Sequence, residues 1–393
     1  MVLQYLNLQL TMQFSVGIVL GSIIACSPTR FNQNQQVLNI CSSPVTSCIT
    51  ENGSTDLVQT YKVGSGKVDI LFINDNSASM SKTQINMATK FAGFIQSLDA
   101  KSVDYRIAMT TTDLNSVSQN KLITFSNEKK FITNIDADRV SQFNNSIVRS
   151  ETLKCENFIV GMFNTFGAAF QSTNEYANQY YSKCPSPDTR GIYTANLVVS
   201  ENSSSFMRTD ANLNIILISN DNARQGKALE ANDKAMSFVS MMKQNYPNKY
   251  WDFNSIIVKD ETCKQAQTLY NASNQIITNE AGVAISGGIG FEYANLSNSA
   301  AKDLDNKPRP RGQILDICAR DYAPHFSAMS TQITQEARVF TMRCSPSAAP
   351  VVSVVGQANA NINHTWSGDK IIFLREAEGT SVNISYRCYT GPA

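Results

Sequence analysis

The sequence predicts an α/β fold in which an open, mostly parallel sheet is covered by helices on both faces, with a small C-terminal β module attached. Three observations carry this expectation. Residues 68–73 (VDILFI) and 214–219 (NIILIS) are short, largely apolar runs, the pattern of strands buried on both faces. Segments with helical spacing alternate with such runs, which favours parallel strands joined by crossover helices. Beyond residue 345, β-like runs separated by Asn, Gly and Ser replace that alternation.

Each element follows in order. Residues 14–25 (FSVGIVLGSIIA) form an apolar run too short for a membrane-spanning helix, which needs about 20 residues, and read as the core of an export signal over 1–25. Residues 26–66 are rich in Ser, Thr, Asn and Gln and are expected to be a flexible tether, pinched by Cys41 and Cys48. The α/β domain is assigned to 67–344. Its first strand leads into one helix over 79–98, with Met80, Met87, Phe91, Phe94, Ile95 and Leu98 near one face. Strands are expected at 103–111 and at 122–125 with 130–133, a helix at 156–170, and then the strand at 214–219. A helix at 227–245, a strand at 253–258 and a helix at 323–338 complete the domain. The β module at 345–393 contains runs at 351–355, 371–374 and 382–386.

Charge and cysteine content narrow the function classes. Lys and Arg total 33 against 32 for Asp and Glu, a net +1, so the chain carries no electrostatic footprint for nucleic acid. The nine cysteines divide as one plus eight. Cys26 ends the apolar run in Ile23-Ile24-Ala25-Cys26, which resembles the bacterial lipoprotein lipobox. That resemblance implies lipidation of Cys26, membrane contact through the lipid alone, and, from Ser27, passage to the outer membrane of a bacterial envelope. The sequence has no Lys or Arg before Arg30, a departure that Met12 as the start would account for. An exported chain would pair its other cysteines, and chain order suggests Cys41–Cys48, Cys155–Cys184, Cys263–Cys318 and Cys344–Cys388. Zinc is the competing use, but no Cys-x2-Cys occurs and His325 and His364 are isolated.

The chemistry concentrates at Asp75-Asn76-Ser77-Ala78-Ser79, where the first buried strand ends and a helix begins. Ligands bind at that end of open α/β sheets. A carboxylate and two hydroxyls at alternate positions offer only oxygen, the donor set of hard cations. The same residues would also serve a capped strand-to-helix turn. The run ILFINDNSASM, preceded by Val-Asp and followed by DYRIAMTTTD, resembles a von Willebrand factor A domain over roughly residues 67–340. Its Asp-x-Ser-x-Ser matches that family's metal-ion-dependent adhesion site, and more narrowly the chain resembles exported bacterial lipoproteins carrying such a domain.

The resemblance implies that Ser77 and Ser79 bind Mg2+, with Mn2+ or Ca2+ as substitutes, and that Asp75 acts largely through water. A Thr from a later loop completes such a site: Thr152 is the candidate, with Thr111 or Thr112 as weaker ones. The family's last element is an Asp after the fourth strand. Here Asn220 stands at that place and Asp221 follows, so a lost negative charge should weaken the site unless Asp221 takes the role. A partner's Asp or Glu filling the open coordination position implies binding of a protein or extracellular-matrix-like ligand. Asn76, Ala78, Met80, Asn222 and the loop at 110–116 would form the rim.

Catalysis is not expected, because the sequence has no nucleophile elbow, H-E-x-x-H motif or P-loop. Gly287-Gly288-Ile289-Gly290 lacks the Lys of a phosphate loop and reads as a turn. The alternative to cation-dependent adhesion is a structural or assembly component of the envelope with a degenerate, metal-independent site.

Overall fold

The computed structural model describes residues 40–41, 45–114, 122–201, 205–224, 227–247, 249–304, 307–357, 360 and 362–389. The expected export signal, Cys26 and loop residues 115–116 lie outside them.

Six strands form the central sheet: β1 (Lys67–Asn74), β2 (Asp104–Thr111), β3 (Ile132–Thr133), β4 (Asn212–Ser219), β5 (Trp251–Ile257) and β6 (Ile314–Asp316). Their order is β6-β5-β4-β1-β2-β3, parallel throughout except for the antiparallel edge pair β2 and β3. This is the open α/β sheet expected, and its middle explains the apolar runs. Ile70 and Phe72 of β1 pack on one face, while Leu71 and Ile73 pack on the other. Ile216 and Ile218 of β4 share the first face with Ile70 and Phe72, and Ile215 and Leu217 the second.

Helices α1 (Ser81–Ala88), α2 (Phe91–Ala100), α3 (Arg139–Ile147) and α10 (Ala323–Glu336) cover the first face through Met87, Phe94, Phe143 and Phe326. Phe72, Phe91 and Phe143 meet there, with Phe91 and Phe143 stacked and Phe72 edge-on to both. Fully burying one such ring contributes about 1.5–3 kcal/mol. Helices α6 (Gly191–Glu201), α7 (Ala235–Asn245) and α9 (Phe291–Ser297) cover the other face through Val198, Phe238 and Tyr293. Two further helices, α4 (Ser150–Phe166) and α5 (Asn174–Lys183), pack with residues 267–286 and Ala78, while α8 (Glu261–Ala266) adds Cys263 to the first-face core.

Three expectations are corrected. The helix at 79–98 is two helices, because Thr89 Oγ1 donates to Asn86 O at 2.7 Å and Lys90 N turns to Met87 O at 2.9 Å. Residues 122–125 are not a strand: Ile123 N reaches Met109 O, and the chain then closes a local turn through Phe125 N to Lys129 O. The tether expected over 26–66 contains two strands, Ser47–Glu51 and Ser54–Lys62, which pair with each other, the second also pairing with Ser381–Tyr389. The inward positions Thr55, Leu57 and Gln59 alternate as a strand requires, but two of the three are polar, so the periodicity is muted.

Val351–Val354 completes a four-stranded antiparallel sheet, and Val339–Thr341, Lys370–Phe373 and His364–Ser367 form a three-stranded one beside it. Leu57, Phe340, Ile371, Phe373 and Ile384 share their core. The β module therefore draws on both ends of the described chain. Tyr61 Oη donates to Ala337 O at 2.6 Å and Gly66 N to the same oxygen at 2.9 Å, clamping the segments entering and leaving the α/β domain.

The four disulfides pair in chain order: Cys41–Cys48, Cys155–Cys184, Cys263–Cys318 and Cys344–Cys388. Such bonds persist in oxidising compartments, which marks an extracellular or envelope protein. Among the described residues no helix is long and apolar enough to cross a membrane.

Candidate functional site

Parallel strands end with their carbonyls and following turns at one edge, and at that edge β1 and β4 are neighbours. Their exit turns carry Asp75 and Asn220. Asp75 N donates to Ile218 O at 2.9 Å, continuing the ladder by one bond, so that both turns start level.

A chain of short contacts then joins the sequence-selected residues. Asp75 Oδ1 accepts Ser77 N at 2.9 Å, and its Oδ2 accepts the Ser219 hydroxyl at 2.6 Å. Ser77 Oγ lies 3.4 Å from Ser79 Oγ, and Ser79 Oγ donates to Asn220 Oδ1 at 3.2 Å. Ser219 Oγ accepts Asp221 N at 3.0 Å, which ties the turn after β4 to Asp75. Thr152 lies in the first turn of α4, fully buried, and donates to Asn76 O at 2.8 Å. Thr111 instead sits in register with Asn74 at the end of β2, and Thr112 O accepts Arg190 N.

Residues not selected from the sequence hold this arrangement. Gln84 Nε2 donates to Asp75 O at 2.8 Å and Thr152 Oγ1 at 3.2 Å, while its Oε1 accepts Arg149 N at 2.9 Å. It thus joins α1, the Asp75 turn and the start of α4. A signal existed: Met80, Gln84, Met87 and Phe91 share the buried helical spacing, and a Gln among them needs polar partners. Ala78 packs with Cys155, Cys184 and Leu269, so the Cys155–Cys184 disulfide backs the turn. On the opposite side, Gln267 Oε1 accepts Asn220 Nδ2 at 3.3 Å.

Burial dominates the electrostatics. It pushes the Asp75 carboxyl up, opposed by the Ser219 hydroxyl and the Ser77 backbone N–H. Burial, then the charge of Asp75, pushes Asp221 up to about 8, against a hydrogen bond from Gly288 N. Among the described residues neither carboxylate forms an ion pair with Lys or Arg, and no basic group contributes to either shift. A buried carboxyl and a half-buried one, neither with a basic partner among the described residues, beside two hydroxyls and an amide oxygen, form an all-oxygen set suited to a hard divalent cation. Cys263, Asp316 and Cys318 also have ligand atoms within 4.8 Å of one another, but both sulfurs are consumed in a disulfide and offer no thiolate.

No protein-family model and no curated protein matches the chain by sequence. Among solved structures, it is similar to the pilus adhesin SpaC from Lactobacillus rhamnosus GG in its open conformation, at 10% identity and TM-score 0.37, covering 86% of this chain and 41% of that one. A von Willebrand factor type A structure from Catenulispora acidiphila matches at 10% identity and TM-score 0.31, covering 86% and 61% respectively. Manganese-loaded Plasmodium vivax TRAP protein matches at 10% identity and TM-score 0.32, covering 86% of this chain and 99% of that one. The chain thus spans less than two thirds of the first two. The sheet order, its antiparallel edge and helices on both faces define a von Willebrand factor A-like α/β fold.

Proposed function

We propose that this chain binds a protein or extracellular-matrix-like ligand through a divalent cation held at the Asp75–Ser79 turn. The observation that carries the reading is the buried Asp75 carboxyl, without a basic partner among the described residues, at the turn where the Ser77 and Ser79 hydroxyls meet the Asn220 amide oxygen, with half-buried Asp221 joined to it through Ser219. Ser77 and Ser79 would hold the ion directly, Asp75 largely through water, with Thr152, Asn220 and Asp221 around it. Mg2+ suits the set, with Mn2+ or Ca2+ as substitutes. When bound, the ion supplies a positive charge that an Asp or Glu of the ligand can meet. The chain's own part is to orient the oxygens and to hold the turn rigid through Gln84 and Ala78. This is binding rather than catalysis.

The proposal includes anchoring: Cys26 would carry lipid after removal of residues 1–25, holding the protein at the outer membrane of a bacterial envelope, periplasmic face or cell surface. Mass spectrometry of the mature N-terminus is expected to show diacylglyceryl-Cys26, and an unmodified Cys26 overturns the anchor.

A second reading, an envelope assembly component with metal-independent contacts, is favoured by Asn220, whose amide supplies no charge. Calorimetric titration with Mg2+ or Mn2+ separates the two. Heat of binding in the wild type, lost in Ser77→Ala, is expected; absence of heat in the wild type leaves the second reading standing.

A further inference from the structure

We infer that Gln267 is a positioning residue for the cation site, using the disulfide sulfur of Cys318 to turn the Asn220 amide oxygen toward Ser79. The inference rests on the cation reading above and deepens it. A carboxylate at this place would present oxygen whichever way it turned, but an amide has an oxygen on one side and an NH2 on the other. With the NH2 turned inward, Asn220 would set two donor hydrogens against a cation. Something must select the rotamer.

The selection runs through three contacts. Gln267 Nε2 donates to Cys318 Sγ at 3.4 Å. That sulfur is bonded to Cys263, so it carries no hydrogen and can only accept. Gln267 must therefore point its NH2 at the sulfur and its Oε1 away. The Oε1 accepts Asn220 Nδ2 at 3.3 Å and is seconded by the Thr83 hydroxyl at 3.5 Å. With Nδ2 thus engaged, Asn220 Oδ1 faces Ser79 Oγ at 3.2 Å. Reversing the Asn220 amide would set its oxygen against the Gln267 oxygen, and reversing both would set an oxygen against a sulfur with no proton to give. Groups that act on a metal through its ligands typically change affinity about 10- to 100-fold.

The test is calorimetric Mn2+ titration of the full chain and four variants: Gln267→Met, Gln267→Glu, Asn220→Asp and Asn220→Asp with Gln267→Met. The thermal midpoint of each cation-free protein checks folding. Gln267→Met keeps length but removes both polar ends, and is expected to weaken Mn2+ binding about tenfold. Gln267→Glu still accepts from Asn220 Nδ2 and is expected to bind at least as tightly as the wild type. On the Asn220→Asp background the Met substitution is expected to cost less than about threefold, since either carboxylate oxygen serves. Equal losses on both backgrounds, or no loss in Gln267→Met while the wild type binds, overturn the positioning role and leave the cation reading intact. A wild type that binds no Mn2+ overturns both.

Discussion

Ser219 gives its hydroxyl proton to Asp75 at 2.6 Å, and this bond links the end of one central strand to the first residue beyond its neighbour. Among the described residues Asp75 has no basic partner, so this donor and the Ser77 backbone N–H oppose the effect of burial on its charged form. Ser219→Ala is expected to cost about 1–3 kcal/mol of stability at neutral pH, the penalty of a buried acceptor left short of a donor. Urea denaturation measures it, and an unshifted midpoint would show that Asp75 does not depend on the hydroxyl.

Cation binding to the folded state alone must raise stability. At a free Mg2+ concentration 100 times the dissociation constant the gain is about 2.7 kcal/mol. A higher thermal midpoint in Mg2+, reversed by chelator and missing in Asp75→Asn, is expected. A rise that survives in Asp75→Asn would put the ion elsewhere.

Gly287 is fixed by close approach. A Cβ there would stand 2.2 Å from Asn220 O, a backbone atom that cannot turn aside. Gly287→Ala is therefore expected to displace the turn carrying Asn220, destabilising by about 1–3 kcal/mol as overpacking does. It should also weaken cation binding. Calorimetric and denaturation measurements on the same variant test both, and wild-type values in each would refute the steric account.

At the opposite end of the sheet, Glu336 is buried beside Asp252, Arg309 and Tyr250. Burial first, then the Asp252 charge, raises the Glu336 pKa well above its ordinary value, outweighing Arg309. The folded state then holds a proton that the unfolded state releases. The Glu336 contribution is present below the unfolded carboxyl range and is lost as pH rises toward the folded value. Glu336→Gln is expected to flatten that decline in a pH series of denaturation curves. An equal slope in the variant would assign the decline to other groups.

Much of this was legible from sequence where the signal is local. The runs at 68–73 and 214–219 announced strands buried on both faces because neighbouring side chains meet two different helix layers. Asp75, Ser77 and Ser79 were visible because alternate positions in one turn share a direction, and the structure brings Thr152 and Asn220 to that turn. Gln267 was not visible: it lies 47 positions beyond Asn220, and its polarity is ordinary until Cys318 is placed beside it. The strand at 54–62 was hidden because its second partner is at the far end of the chain, and the strand at 47–51 pairs only with it.

That last pairing sets an order on folding. Asp56 and Arg387 face each other across the sheet from positions 331 residues apart, so the free chain would have to close a very large loop to join them. Loop-closure cost grows slowly with length, but the search it implies is slow, and non-local β pairing is the slowest part of folding. Collapse of the α/β domain shortens that search, because its entry and exit meet at Ala337 O. The early hairpin must meanwhile keep an open edge, the usual template for intermolecular pairing, until Ser381–Tyr389 arrives to close it. Completion of the β module is thus expected to follow collapse of the α/β domain.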